Sequence, residues 1–184
     1  PLVMLVQGLA KGEKMDSVIR HATELGVAAF MPLTCERSIV KLDAKKTRTR
    51  LDRWCSIAKS AAMQSGQPRI PEVLEPRSAK EAASELAEAT AVLICWEEAP
   101  QTASLAQAIG RGIAECSCPR GDARIAVVVG PEGGLTELEV GFFLDANPRA
   151  SLVSLGSSIL RTETAGVVAP ALTLYELGKL GGTR

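Results

Sequence analysis

Ala126-Val127-Val128-Val129 runs directly into Gly130-Pro131-Glu132-Gly133-Gly134, and further along Leu152-Val153-Ser154-Leu155-Gly156 runs into Ser157-Ser158-Ile159-Leu160-Arg161-Thr162-Glu163-Thr164-Ala165. Each is a short apolar run of the kind that forms a strand buried on both faces. Each ends abruptly in glycine and is followed by a helix-like segment. In open α/β sheets, ligands bind outside the carboxyl ends of the strands, where such junctions lie. Gly133 and Gly134 can take positive φ and admit close backbone approach, while Pro131 fixes φ and removes one donor. Alone, the pentapeptide is a turn signal; the pair of junctions points to a site.

Outward from this core, helices and strands alternate. Residues 2–9 are rich in Val and Leu and predict a strand. Met15, Val18, Ile19, Ala22 and Leu25 then share one helical face over 14–25, closed by Gly26, with Asp16 expected in the first turn, where its charge favours free amides. A second strand is expected over 27–33 and a long helix over 47–65, with Trp54 on its apolar stripe as a core anchor. A connector at 67–71 leads to a helix over 79–89, a third buried strand over 91–96 and a helix core at 105–109. Residues 110–122, with three glycines and a proline, predict a surface excursion. The strand at 125–129 follows. Thr136 and Glu139 form a capping box opening a helix through Leu144, and residues 151–155 form the next strand. The last helix, 162–180, carries Pro170 in its interior, so a bend is expected between Gly166 and Pro170. The alternation predicts an α/β protein with a mostly parallel sheet flanked by helices.

The chain has 184 residues, 46% hydrophobic and 23% charged, which suits one domain with a single sizeable core. No apolar run is long enough to span a bilayer and no signal sequence opens the chain, so a cytoplasmic location and no membrane partner are expected. Five cysteines without a Cys-x-x-Cys pair, and His21 as the single histidine, argue against a metal site and leave no histidine for a catalytic Cys or Ser. His21 is expected on the surface. The net charge of zero conceals segregation. Residues 41–53 carry six basic side chains against two acids, while residues 72–98 carry seven glutamates against Arg77 and Lys80. Lys45, Lys46 and Arg48 in the basic run are candidate RNA contacts, as is Arg37 in the loop after the second strand, with a solvated face or a surface ion pair as the competing role. Neither a P-loop nor a Gly-x-Gly-x-x-Gly turn is present, so nucleotide-triphosphate and Rossmann-type dinucleotide chemistry lose their sequence support.

Gly130-Pro131-Glu132-Gly133-Gly134 together with Leu155-Gly156-x-x-Ile159-Leu160-Arg161-Thr162-Glu163-Thr164-Ala165 resembles the signature pair of the RsmE family, SPOUT-class methyltransferases that modify uridine N3 in small-subunit ribosomal RNA. The resemblance extends through Lys11-Gly12-x-Lys14-Met15-Asp16, Thr23-Glu24-Leu25-Gly26-Val27, Arg37-Ser38 and Ala61-Ala62-x-Gln64-Ser65-Gly66, and so covers nearly the whole chain. One departure is Gln67, where the family commonly has arginine; Arg69 is the nearest substitute. The resemblance implies a C-terminal trefoil knot, which periodicity cannot suggest. It also implies S-adenosyl-L-methionine as cofactor, ribosomal RNA as partner and a homodimer. Residues 1–184 are then expected to be a single methyltransferase domain, cut from a protein whose small N-terminal PUA-like RNA-binding domain has no counterpart here. The competing expectation is a non-catalytic RNA-binding or dimerisation module on the same scaffold.

Carried onto this chain, the family's cofactor loops are Cys95, Trp96 and Glu97; Val129, Gly130, Pro131 and Gly133; and Leu155, Gly156, Ile159, Leu160 and Thr162. Uridine N3 carries a proton at neutral pH, so transfer needs a base, a positive group beside the developing anion, or both. Arg161 is the expected anion stabiliser, with an ion pair to Glu163 or Glu132 as its structural alternative. Glu132 and Glu163 are both candidate bases. Replacing Gly133 or Gly156 by Val is expected to crowd the ligand.

Overall fold

The computed structural model describes residues 1–99 and 102–182. Seven parallel strands form one sheet: β1 (Leu2–Gly8), β2 (Ala29–Thr34), β3 (Glu72–Val73), β4 (Arg77–Ser78), β5 (Ala91–Cys95), β6 (Arg124–Val129) and β7 (Ala150–Val153). Their order is β3-β2-β1-β6-β5-β7, with β4 also on β2. The helices are α1 (Lys14–Leu25), α2 (Ala44–Ser65), α3 (Ala79–Glu85), α4 (Leu105–Cys116), α5 (Glu137–Ala146) and α6 (Thr162–Glu176).

Side-chain alternation along the strands assigns the two layers. Ile125, Val127 and Val129 of β6 join Leu5 of β1 and Leu93 of β5 in a core shared with α1, α2, α4 and α6. Ala126 and Val128 face the other way, with Val6, Val92 and Ile94, against α3 and α5. Both faces of the central strands are therefore dry, which is why they read as continuous apolar runs.

Trp54 is buried in the first core, as expected of an anchor, and His21 is exposed, its ring 3.3 Å from the Ser17 hydroxyl. Asp16 stands in the first turn of α1, as expected, and has a second role besides. It is buried, and Arg53 of α2 holds it at 2.5 Å, tying the two helices together.

Four further expectations are corrected. Residues 110–116 continue α4, and only the remainder up to Asp122 is loop and one 3-10 turn. The glycines misled because Gly112 serves close packing: a Cβ there would stand 2.3 Å from the Thr90 carbonyl oxygen. α2 starts at Ala44, where Asp43 caps the Lys46 amide at 2.8 Å. α3 stops at Glu85, and α6 stops at Glu176, with Pro170 inside the helix as expected. Residue 166, whose carbonyl the proline ring would crowd, is a glycine packed against Gln7 and Val18. The two-residue strands β3 and β4 were not anticipated, being too short to show a period.

Candidate functional site

β6, β5 and β7 are consecutive in the sheet, and the loops leaving their carboxyl ends enclose one cavity of about 640 Å³. That volume lies in the range of small-molecule sites, ~300–1,000 Å³. Of the expected cofactor residues, Cys95, Trp96 and Glu97 line it from the first loop and Val129, Gly130 and Pro131 from the second. Leu155, Gly156, Ile159, Leu160 and Thr162 line it from the third, and Arg161, Glu132 and Glu163 stand at the same cavity.

Gly133 is the exception. It does not line the cavity; its Cα faces Arg37, whose carbonyl oxygen would lie 3.0 Å from a Cβ. A side chain at 133 would first meet the 37 loop. Gly134 lines the cavity, at φ 71°, with Glu97 Oε1 2.4 Å from where a Cβ would stand. Gly156 has φ 120° and open space beside it, so only glycine takes this backbone without strain.

Polar contacts fasten the loops to each other. The Trp96 indole N–H donates to the Leu135 carbonyl at 3.0 Å. Arg37 pairs with Glu98 at 2.8 Å and donates to the Gly133 carbonyl at 3.3 Å, so the side chain expected to face RNA braces two cavity loops. Beneath the cavity runs a buried relay. The Thr162 hydroxyl donates to the Gly130 carbonyl at 2.6 Å, and Gln7 Nε2 donates to that hydroxyl at 2.9 Å. Because the single Thr162 proton is committed to Gly130, the hydroxyl can only accept from Gln7, which fixes the amide's orientation. Gln7 Oε1 has no partner and points at Gly166, 2.3 Å from where a Cβ would stand.

Lys14 is the main residue that sequence reasoning passed over. From the first turn of α1 its ammonium reaches Glu132 Oε1 at 3.0 Å and lies 3.3 Å from Glu163 Oε2, the latter a charge contact outside hydrogen-bond geometry. The same Glu132 oxygen accepts the Lys11 amide at 3.0 Å. Burial opposes ionisation of Glu132, but the Lys11 amide, its own amide and Lys14 outweigh it, and its pKa falls below the ordinary carboxylate value. Lys14 is shifted up, first by its hydrogen bond to Glu132 and, despite desolvation, by Glu163. Both acids thus belong to Lys14. Arg161, at the N-cap of α6 and exposed at the cavity, has no carboxylate partner among the described residues, so the ion pair to Glu163 or Glu132 that was its structural alternative is not formed. Lys14 had been visible in the quoted Lys11-Gly12-x-Lys14 motif, but nothing local showed that its partners lay more than a hundred residues away. Burial pushes the Cys95 thiol up to about 12, which disfavours the thiolate form.

Of the remaining candidate RNA contacts, Lys45 and Lys46 border a second cleft, while Arg48 does not. At ~100° per residue, position 48 falls off the face that carries 45, 46, 49, 50 and 53. Among the described residues no group of three or more His, Cys, Asp or Glu side chains could hold a metal ion, and no helix is long and apolar enough to cross a membrane.

A parallel sheet sandwiched by helices, with three strand-end loops closing on one cavity and a last helix returning to pack on α1 and β1, defines an α/β fold of the SPOUT class. The fold of a TrmH/SpoU tRNA modifying enzyme from Aquifex aeolicus matches over 95% of the chain at 12% identity and a TM-score of 0.50. The model of the RNA methyltransferase domain family matches residues 1–174, and the chain belongs to that family. It is 36% identical over 180 residues to ribosomal RNA small subunit methyltransferase E of Bacillus subtilis, covering 98% of this chain and 68% of that protein. It is 35% identical over 173 residues to the protein of the same name from Mycobacterium bovis, covering 92% and 61%. The chain therefore spans about two thirds of the length of these relatives. A crystal structure of the Neisseria gonorrhoeae ribosomal RNA small subunit methyltransferase E, bound to S-adenosyl methionine, superposes with a TM-score of 0.76 at 33% identity, covering 95% of this chain and 66% of that one.

Proposed function

We propose that this chain is the catalytic domain of an enzyme that transfers a methyl group from S-adenosylmethionine to N3 of a uridine in small-subunit ribosomal RNA. The observation that carries the reading is the convergence of three strand-end loops on one cavity with Arg161 unpaired at its edge. The cavity fits the donor on the chain's own features. Its volume is that of a small-molecule site, and the positive φ of Gly134 and Gly156 keeps Cβ atoms off the loop surface where a ligand would lie against backbone. When bound, the donor supplies an electrophilic methyl on a sulfonium.

The chain's residues do the rest. Arg161 stays cationic at any working pH and stabilises the uracil anion that forms as the N3 proton leaves. Glu132 accepts from the Lys11 amide and from Lys14, whereas Glu163 has only the Lys14 charge beside it, so Glu163 is the better-placed proton acceptor. Lys14 holds both carboxylates in position. We assign the working form to a homodimer through α6, whose outward stripe of Val168, Leu172 and Tyr175 leaves Leu172 39% and Tyr175 60% exposed, with Ile159 at 87% nearby in sequence. The crossing of the chain from β7 at the sheet edge back to α6 on α1 is compatible with a trefoil knot. A ribosomal substrate assigns the enzyme to the cytoplasm.

The test is calorimetry with S-adenosylhomocysteine, paired with transfer of labelled methyl to ribosomal RNA or small-subunit particles. Saturable binding and label on uridine support the reading. Binding without transfer, even with the rest of the relatives' length restored, would identify a non-catalytic module. Light scattering that returns a monomer under both conditions would remove the dimer.

A further inference from the structure

On the far side of the 11–14 loop from the cavity lies a larger cleft of about 1090 Å³, between that loop, the 40–43 segment and one face of α2. Its floor is apolar, made by Val40 and Leu42, which pack in part on the core. Its walls carry five cations against the carboxylates of Glu13, Asp16 and Asp43, a surplus of two positive charges, and charge pairing separates the cations into two groups. Arg53 is held by Asp16 at 2.5 Å and Lys46 by Asp43 at 3.3 Å. Lys41, Lys45 and Arg50 have no carboxylate partner among the described residues; the contact of Arg50 is the Gly12 carbonyl at 3.5 Å. Three cations without a carboxylate partner around an apolar floor match a single-stranded polyanion whose sugars and bases are themselves partly apolar.

The position of the cleft is the second observation. Gly12 borders it, while Lys14, two residues on, lines the strand-end cavity, and Glu132 clamps both ends of this short partition through the Lys11 amide and the Lys14 ammonium. A strand lying along the cleft therefore arrives at the mouth of the cavity. We propose that the cleft is the track for the RNA backbone flanking the modified nucleotide, with Lys41, Lys45 and Arg50 as its phosphate contacts. The inference rests on the methyltransferase reading for the identity of the polyanion, and it proposes a different set from Lys45, Lys46 and Arg48 of the basic run and Arg37 of the loop after the second strand.

The experiment measures binding of a uridine-containing single-stranded RNA by fluorescence anisotropy across a salt series, with S-adenosylhomocysteine calorimetry on the same samples. Each phosphate contact to single-stranded RNA contributes about 0.7 to the log–log salt slope, so a Lys41→Ala, Lys45→Ala, Arg50→Ala variant should flatten the slope by about 2. Between about 50 and 200 mM salt, its loss of affinity should then be roughly twentyfold smaller than that of the wild type. Arg48→Ala, and a Lys41→Arg, Lys45→Arg variant that preserves charge, should both keep the wild-type slope. An unchanged slope in the triple variant, an equal change in Arg48→Ala, or wild-type binding without salt dependence would each overturn the assignment. So would polyglutamate binding as tightly as RNA, which would mark the cleft as a site for an acidic protein. Calorimetry separates the two readings: loss of S-adenosylhomocysteine binding in the wild type counts against the donor site, whereas the salt slopes judge the cleft alone.

Discussion

Thr162→Val removes one hydroxyl and almost no volume, and the buried relay beneath the cavity predicts that it is costly. Thr162 is 7% exposed and Gln7 1%, so neither Gln7 Nε2 nor the Gly130 carbonyl regains water when the hydroxyl goes. Gln7 Nε2 keeps only a 3.4 Å contact to the Gly8 carbonyl. Leaving a buried polar group without its partner costs ~1–3 kcal/mol. With one donor and one acceptor affected, the variant should lose about 2–4 kcal/mol in urea unfolding at unchanged m value. For a chain of this size each kcal/mol lowers Tm by roughly 2–4 °C. The control is Gln7→Met combined with Thr162→Val. Replacing both partners by apolar groups of similar shape removes the orphaned amide, so the double variant should be less destabilised than the sum of the singles. Because Gly130 lines the cavity, Thr162→Val should also weaken S-adenosylhomocysteine binding. A loss below about 0.5 kcal/mol, or strict additivity in the double variant, would refute the claim that the relay is a coupled structural unit.

Arg161→Ala should cut the methylation rate while S-adenosylhomocysteine affinity stays near wild type in calorimetry, because its assigned contact is with the uracil. Gly156→Ala should cost about 1–3 kcal/mol of stability through its φ of 120° alone, without a steric clash, and should weaken donor binding through displaced backbone. Lys14→Met should destabilise in a pH-dependent way that comparative denaturation can follow. The folded pKa of Glu132 is depressed, so its share of the stability is present above the ordinary carboxylate value of 4.5 and is lost as pH falls through the lower folded value. The folded pKa of Lys14 is raised, so its share is full below 10.5 and is lost as pH rises through the higher folded value. The gap between wild type and variant should therefore be flat between these limits and shrink outside both.

The parallel sheet and its two glycine-ended junctions were legible because period, apolar runs and glycine placement are local properties. Residues 14–25 were read to the residue because Gly26 closes an unbroken 3.6-residue stripe with a left-handed cap. α4 was cut short because Gly112 looks like a helix breaker, and its reason for being glycine, the Thr90 carbonyl, lies on another element. The three loops that line the cavity were anticipated through the family resemblance, though Lys14, Thr102, Gly134 and Ser154 among its lining residues were not. Nor were the polar partners. Arg37 with Glu98, Lys14 with Glu132 and Gln7 with Thr162 each join residues far apart in the chain, and no spacing rule connects them. Which of the adjacent Gly133 and Gly134 lines the cavity was hidden for the same reason, since it depends on the Arg37 loop that arrives from β2.

The sheet order also governs how the chain can be assembled as it is made. β1 lies at the centre, and its partner on one side is β6, with Leu2 opposite Arg124. During vectorial synthesis β1 must therefore wait, one apolar edge open, until residues 124–129 have emerged. Such long-range parallel pairing closes large loops before any contact rewards them, which makes folding slow. The half-made chain, with β1, α1 and β2 already available to pair, is the species most in need of protection from aggregation, and nascent chains truncated before residue 124 should associate with holdase chaperones far longer than the finished protein does.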